Sequence, residues 1–305
     1  MQSNRLSIPG SPPPHALRPC AGGVTGVTRP VPAGAKILPV SFPQLASPTG
    51  PKPLPPEPTP APGAIRTLEA VFMKKFPLIL VPGLLCDAQL WQPQVANLDD
   101  IADIWIAEHT RSDTMAGVAR DVLAGAPFAS FALAGLSMGG YIALEIMRQA
   151  PQRVARLALL DTAAGADLPE QTQKRTDFIA LAERGKFLGI TDVLLPLLIH
   201  PSRLGESALT NVVKSMAKNV GKEAFVRQQR AIMSRADSLG LLAAIDCPTL
   251  VLCGRQDALT PLARHEEIAA GIKDARLEVI ENCGHLSTLE KPAEVNAALR
   301  RWLSA

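Results

Sequence analysis

The sequence predicts an α/β protein: a mostly parallel, doubly wound sheet with an all-helical cap inserted into it. Three observations carry this. From residue 76 onward, short apolar runs alternate with stretches of helical periodicity. The apolar runs are hydrophobic on both faces, as the strands of a parallel sheet covered on both sides are. Between residues 166 and 235 the alternation stops, and only helical patterns remain.

The elements follow in chain order. Residues 77–81 are too few for a helix and are bounded by Pro82-Gly83, so they read as the first buried strand. Further strands are expected at 104–107, 130–135, 154–160, 248–253 and 276–280. Helical patterns lie between them at 115–124, at 139–149 (stopped by Pro151) and at 262–270. A last helix, 292–303, opens with proline at its first turn. The helices-only stretch divides into 171–184, 190–198, 207–219 and 222–235. An insertion after one strand and before the next lies over the strand C-terminal ends, where open α/β sheets place ligands. Its leucines and isoleucines recur at helical spacing and are expected to pack core rather than line a pocket.

Composition narrows the function classes. With 305 residues, 47% of them hydrophobic, the chain can build a large core without disulfides or a structural metal. A net charge of +3 is too small to imply nucleic-acid binding. Residues 1–72 carry +4 of it, leaving the remainder at −1. That first segment also holds 17 of the 28 prolines, which remove backbone donors and fix φ, so residues 1–64 are expected to be disordered or polyproline-like. It reads as an interaction tail, a targeting segment, or sequence upstream of the natural start. Met73 opens Met-Lys-Lys-Phe-Pro-Leu-Ile-Leu-Val and is itself a plausible start. The expected organisation is an extension at 1–72, a core at 73–165 and 236–305, and a cap at 166–235. Five cysteines, none in a CxxC pair, argue against a disulfide framework and for a reducing, cytoplasmic setting. No apolar run reaches the 18 or so residues of a membrane-spanning helix, and no histidine sits at metal-ligand spacing. Neither cofactor nor metal is called for, and no nucleic-acid or membrane partner.

Chemistry concentrates at Ser137, Asp257 and His285. Gly135-Leu136-Ser137-Met138-Gly139 fits G-x-S-x-G between a predicted strand and a predicted helix, the setting of a nucleophile elbow. Such a turn crowds the positions two residues either side of the serine, and Gly135 and Gly139 meet that demand. Asp257 and His285 each follow a later strand and reach the same sheet edge, in the order serine, acid, histidine. The rival acid is Asp161, at the end of an earlier strand, whose bland role is to cap the following turn. Among the other histidines, His109 precedes the serine, His265 falls inside a helix, and His200 lies in the cap. A developing oxyanion needs donors, and the backbone N–H groups of Met138 and Leu84 are the candidates, the latter in the Pro82-Gly83-Leu84-Leu85 turn.

These segments, from Val81 through Trp91, at 135–140, at 254–257, and at Gly284-His285-Leu286 with Glu290 and Pro292, resemble α/β-hydrolase-fold serine hydrolases of the single-domain bacterial type with a helical cap. The resemblance covers residues 73–305 and implies a cofactor-free Ser-His-Asp hydrolase. One departure stands out: many relatives carry His-Gly where this chain has Pro82-Gly83, so the bonds from that histidine are lost. Serine rather than aspartate at the elbow argues against haloalkane dehalogenases and epoxide hydrolases. Leu286 in place of tryptophan argues against carbon–carbon hydrolases. The expected activity is hydrolysis of a small-molecule carboxylic ester. The Leu-Ser-Met-Gly-Gly elbow is also similar to that of 3-oxoadipate enol-lactonases, which makes a lactonase the alternative, and a slow-turnover ligand receptor is the rival from another class.

Overall fold

Six parallel strands form one sheet, in the order β2-β1-β3-β4-β5-β6, in a computed structural model that describes residues 75–305. The strands are β1 (Phe76–Val81), β2 (Ala102–Ile106), β3 (Phe131–Leu136), β4 (Val154–Leu160), β5 (Thr249–Gly254) and β6 (Arg276–Ile280). The expectations for residues 1–72 and for Met73 lie outside the described residues. From β1 the chain moves one way to β2 and then crosses to the other side for β3, so the order reverses between β1 and β3. Loops leaving two strands at such a switch point diverge to opposite faces and open a crevice at the carboxyl edge.

Alternate strand residues supply two separate cores. Ile79, Val81, Leu133, Leu157, Leu159 and Val251 face α2 (Met115–Gly125), α3 (Met138–Gln149) and α7 (Leu262–Gly271). Leu78, Leu80, Ala134, Leu160, Leu250 and Leu252 face the other layer, in which Leu299, Trp302 and Leu303 of α9 (Pro292–Ser304) are buried. The double-sided apolar runs in the sequence are this arrangement seen along the chain.

Strand and helix ends differ from the sequence expectations by at most three residues, the larger differences falling in the cap helices. Two short helices were not anticipated: α1 (Gln92–Leu98) and α8 (Ser287–Glu290). Each is too short to show a periodicity, and α1 carries a proline in its first turn.

The insertion between β4 and β5 is helical: α4 (Pro169–Leu181), α5 (Phe187–Leu198) and α6 (Ser207–Met233). The expected stretches 207–219 and 222–235 are the two helical segments of α6, which meet at Gly221, whose φ of 77° and ψ of 169° are non-helical and kink the helix there. Phe187, Ile190, Phe225 and Val226 form the cap's own apolar cluster. Asp167, nearly buried, joins the two ends of the insertion by accepting from Arg175 and Arg235, each at 2.6 Å. Among the described residues no helix is long and apolar enough to cross a membrane, and no group of three or more His, Cys, Asp or Glu side chains converges as metal ligands would.

Candidate active site

Ser137 sits on the turn between β3 and α3 with φ 57° and ψ −115°, a region that L-residues rarely occupy and that costs about 1–3 kcal/mol. The surroundings enforce it. A Cβ at Gly135 would overlap the Gly139 carbonyl, and one at Gly139 would overlap the Val81 carbonyl. The Ser137 carbonyl accepts from the Thr162 hydroxyl at 2.8 Å and from the Gly140 N–H at 2.9 Å. Thr162 is held in turn by His265, whose Nε2 accepts the Thr162 N–H at 2.8 Å. Burial pushes His265 down to about 4, so it stays neutral and keeps the lone pair that this bond uses.

Three side chains then form a hydrogen-bonded chain across the sheet edge. Ser137 Oγ lies 2.8 Å from His285 Nε2, and His285 Nδ1 lies 2.8 Å from Asp257 Oδ2. Asp257 follows β5, His285 follows β6, and both are buried. Asp257 also accepts from the N–H groups of Leu259 and Thr260 on Oδ1, at 2.8 and 2.9 Å, and from the Thr260 hydroxyl on Oδ2 at 2.7 Å. Its burial favours the neutral acid, but the His285 charge and these donors outweigh that and hold its pKa below the ordinary value. For His285, burial favours the neutral ring, yet the charge and hydrogen bond of Asp257 prevail and raise it.

The sequence favours Asp257 as the acid with Asp161 as its rival, and it is Asp257 whose carboxylate lies against His285 Nδ1. Asp161 does not cap the turn after β4. It is fully buried at φ 44°, and its carboxyl accepts from the Gly254 N–H at 3.0 Å and contacts Ser287 Oγ at 2.5 Å. It therefore ties β4 to β5 and to the residue two past His285, while of the two acids it is Asp257 that bonds the imidazole. Burial, reinforced by the Asp257 charge, raises Asp161 to about 8.

The loop carrying His285 is pinned by the cap. The N–H groups of His285 and Leu286 both donate to the Leu198 carbonyl at the end of α5, at 3.1 and 3.0 Å. Glu290, buried, accepts from the Gly284 N–H at 3.0 Å and from the His200 N–H at 2.7 Å. His200 thus contributes its backbone to this loop, and its ring turns to Ser202.

Beside the serine, β1 ends in the turn that contains Leu84. A Cβ at Gly83 would lie 3.3 Å from Ser137 Cβ, so this turn runs directly over the nucleophile. Neither the Leu84 N–H nor the Met138 N–H donates to another group among the described residues. Met138 is the first residue of α3, where no intrahelical acceptor exists. Leu85 has φ 59°, and its N–H donates to Gln228 Oε1 of α6 at 3.2 Å. His109 is buried against the same turn, with Nε2 3.0 Å from the Gly83 carbonyl and 3.0 Å from Gln228 Nε2. A glutamine inside a helix carries no sequence pattern, and His109 precedes the serine in the chain, so sequence alone marks neither.

Ser137 and His285 open into a cavity of about 850 Å³ between the sheet edge and the cap. Leu194, Leu197 and Leu198 of α5 line it, together with Leu84, Tyr141 and Phe178. The expectation that the cap leucines pack core rather than line a pocket holds only in part. Leu195 packs on the core, while Leu194 and Leu198 both line the cavity and pack against the cap cluster and the core respectively.

The chain is 30% identical over 171 residues to 2-hydroxy-6-oxo-6-phenylhexa-2,4-dienoate hydrolase of Comamonas testosteroni; the match covers 54% of this chain and 59% of that protein, less than two thirds of its length. A thermophilic esterase from Thermogutta terrifontis superposes with a TM-score of 0.70 at 30% identity, over 75% of this chain and 89% of the esterase. The enol-lactonase from Burkholderia xenovorans LB400 shares the fold, with a TM-score of 0.69 at 23% identity over 76% of this chain and 92% of that one. The alpha/beta hydrolase fold family matches residues 77–292, most of the chain, so this protein belongs to the α/β-hydrolase fold family.

Proposed function

We propose that the protein is a serine hydrolase of carboxylic esters working through an acyl-enzyme. The observation that carries the reading is the unbroken chain from Ser137 Oγ through His285 to Asp257, with 2.8 Å at both links, opening onto a largely apolar cavity. The likeness to an esterase at 30% identity supports it.

In this mechanism Asp257 accepts the Nδ1–H of His285, which leaves the Nε2 lone pair facing the serine. Nε2 takes the Ser137 proton as Oγ attacks the ester carbonyl. The oxygen of the tetrahedral intermediate is held by the N–H groups of Leu84 and Met138, which donate to no other group among the described residues. His285 then gives its proton to the leaving alcohol, and the acyl-enzyme forms. Water enters, loses a proton to His285, and releases the acid by the same steps in reverse. The raised pKa of His285 suits it to hold that proton between the two transfers.

The test is a panel of p-nitrophenyl esters and lactones of increasing chain length, combined with mass spectrometry after treatment with an alkyl fluorophosphonate. Multiple turnovers on esters and a single adduct on Ser137 are expected. Absence of turnover across the panel, or an adduct elsewhere, overturns the reading.

A further inference from the structure

The turn over the nucleophile is held from the cap. Gln228 is fully buried, 143 residues along the chain from Leu85, and its carboxamide is the only side-chain acceptor that the Leu85 N–H meets among the described residues. An N–H can only donate, so Gln228 turns Oε1 to Leu85 and its NH₂ to His109. His109 Nε2 carries either a lone pair, which accepts from Gln228, or a proton, which goes to the Gly83 carbonyl. In either state the ring fills the gap between α6 and Gly83. Two further bonds run from the same helix to the same region: Asn219 to the Asp87 carboxylate and Arg227 to the Thr110 carbonyl, both at 2.8 Å. Leu85 itself packs in the cap's apolar cluster with Phe225 and Val226, which lie on α6 just before Gln228. His109, from the loop after β2, thus meets the Gly83 carbonyl, and Gln228 bonds both that ring and the Leu85 N–H.

We propose that Gln228 is a positioning residue for the oxyanion turn: through the Leu85 N–H and His109 it keeps Leu85 at positive φ and so aims the neighbouring Leu84 N–H at the reacting oxygen. The proposal rests on the reading of Leu84 as an oxyanion donor. An unpartnered buried N–H at Leu85 favours any rearrangement that finds it an acceptor, and a left-handed leucine has an easier conformation to fall into. Rotation about Leu85 turns the Leu84–Leu85 peptide and loosens the donor next to it. The cap then determines how well the oxyanion is held, in addition to enclosing the cavity.

The experiment compares wild type with Gln228→Leu and Gln228→Glu. Each is assayed with p-nitrophenyl butyrate, with rates expressed per active site counted by stoichiometric fluorophosphonate labelling at completion. Loss of a whole oxyanion donor lowers kcat by about 10²–10³-fold, so a misaimed one in Gln228→Leu should lower it by about tenfold or more, with KM changed by less than about twofold. The inhibition constant of butylboronic acid should rise by a similar factor. In that adduct the Ser137 oxygen bonds to boron, its proton passes to His285, and a boronate oxygen occupies the oxyanion position. Gln228→Glu keeps an acceptor for Leu85 and should retain kcat within about threefold of wild type. If Gln228→Leu is not recovered folded, Gln228→Met carries the same expectation. A merely structural role lowers the thermal midpoint but leaves kcat per titrated site and boronate affinity at the wild-type values, which overturns the proposal. Equal losses in the leucine and glutamate variants overturn it as well. If wild type itself neither turns over the ester nor binds the boronate, the serine-hydrolase reading falls first. If wild type does both and Gln228→Leu matches it, only the role of Gln228 falls.

Discussion

Asp257→Asn and Asp161→Asn are isosteric changes in two buried acids, and the structure assigns them different costs. Asp257 Oδ1 is gripped by two backbone donors, the N–H groups of Leu259 and Thr260. In the asparagine variant those donors select the amide oxygen, so the NH₂ is left facing His285 Nδ1. That NH₂ donates, which forces the imidazole proton onto Nε2, where it faces Ser137 and blocks proton abstraction. Loss of the correct tautomer costs about 10⁴-fold in kcat, about 5 kcal/mol at 1.36 kcal/mol per factor of ten. Asp161 is raised to about 8 by burial and the Asp257 charge, so near pH 7 it is a neutral acid. Asparagine there is also neutral, can accept from the Gly254 N–H with its oxygen and can turn its NH₂ to Ser287. Less than about tenfold should be lost, under about 1.4 kcal/mol, since no reacting group is touched. Steady-state hydrolysis of p-nitrophenyl butyrate at pH 7, per folded molecule, gives the ranking. If Asp161→Asn loses more than Asp257→Asn, the orienting role belongs to Asp161. Comparable moderate losses in both refute the idea that one carboxylate alone orients His285.

Further outcomes follow from the same contacts. Ser137→Ala should abolish ester hydrolysis with little change in thermal midpoint, and retention of a tenth or so of wild-type kcat would refute nucleophilic attack by Ser137. His285 must be neutral to act as base and its pKa is raised, so kcat/KM should climb with pH through an inflection above 6.5; in the residual activity of Asp257→Asn, with the raising charge gone and the burial retained, that inflection should move down. Asp161 binds its proton more tightly folded than unfolded, so its contribution to stability is fully present below the ordinary carboxyl range and is lost as pH rises toward about 8; melting curves from pH 5 to 9 should decline less steeply for Asp161→Asn. Gly139→Ala should yield little folded protein, because the new methyl would overlap the Val81 carbonyl on the adjoining strand; wild-type circular dichroism and melting would refute that packing constraint. Deletion of residues 1–72 should leave activity in the ester assay unchanged, since their proline-rich composition cannot contribute a core.

Much of this molecule is legible in local chemistry. The double-sided apolar runs determined the parallel sheet, because only strands covered on both faces avoid a polar side. Gly135 and Gly139 marked the elbow, because a serine at positive φ tolerates no side chains two residues away. Positions after strand ends brought Asp257 and His285 to one edge, because all strands of a parallel sheet end on the same side. Each of these inferences uses a rule that acts within one turn or one strand. What the sequence could not decide depends on contacts between distant segments. Asp161 and Asp257 both follow strands, and although the sequence favours Asp257, only the packed structure shows that it faces His285 while Asp161 faces Gly254 and Ser287. His109 stands before the serine and Gln228 well after it, and nothing local marks either. They meet at Gly83 and Leu85 because α6, bent at Gly221, folds back over the switch point between β1 and β3. Hydrogen bonds between residues more than a hundred positions apart leave no period in a sequence, since their geometry is set by the path of the whole chain.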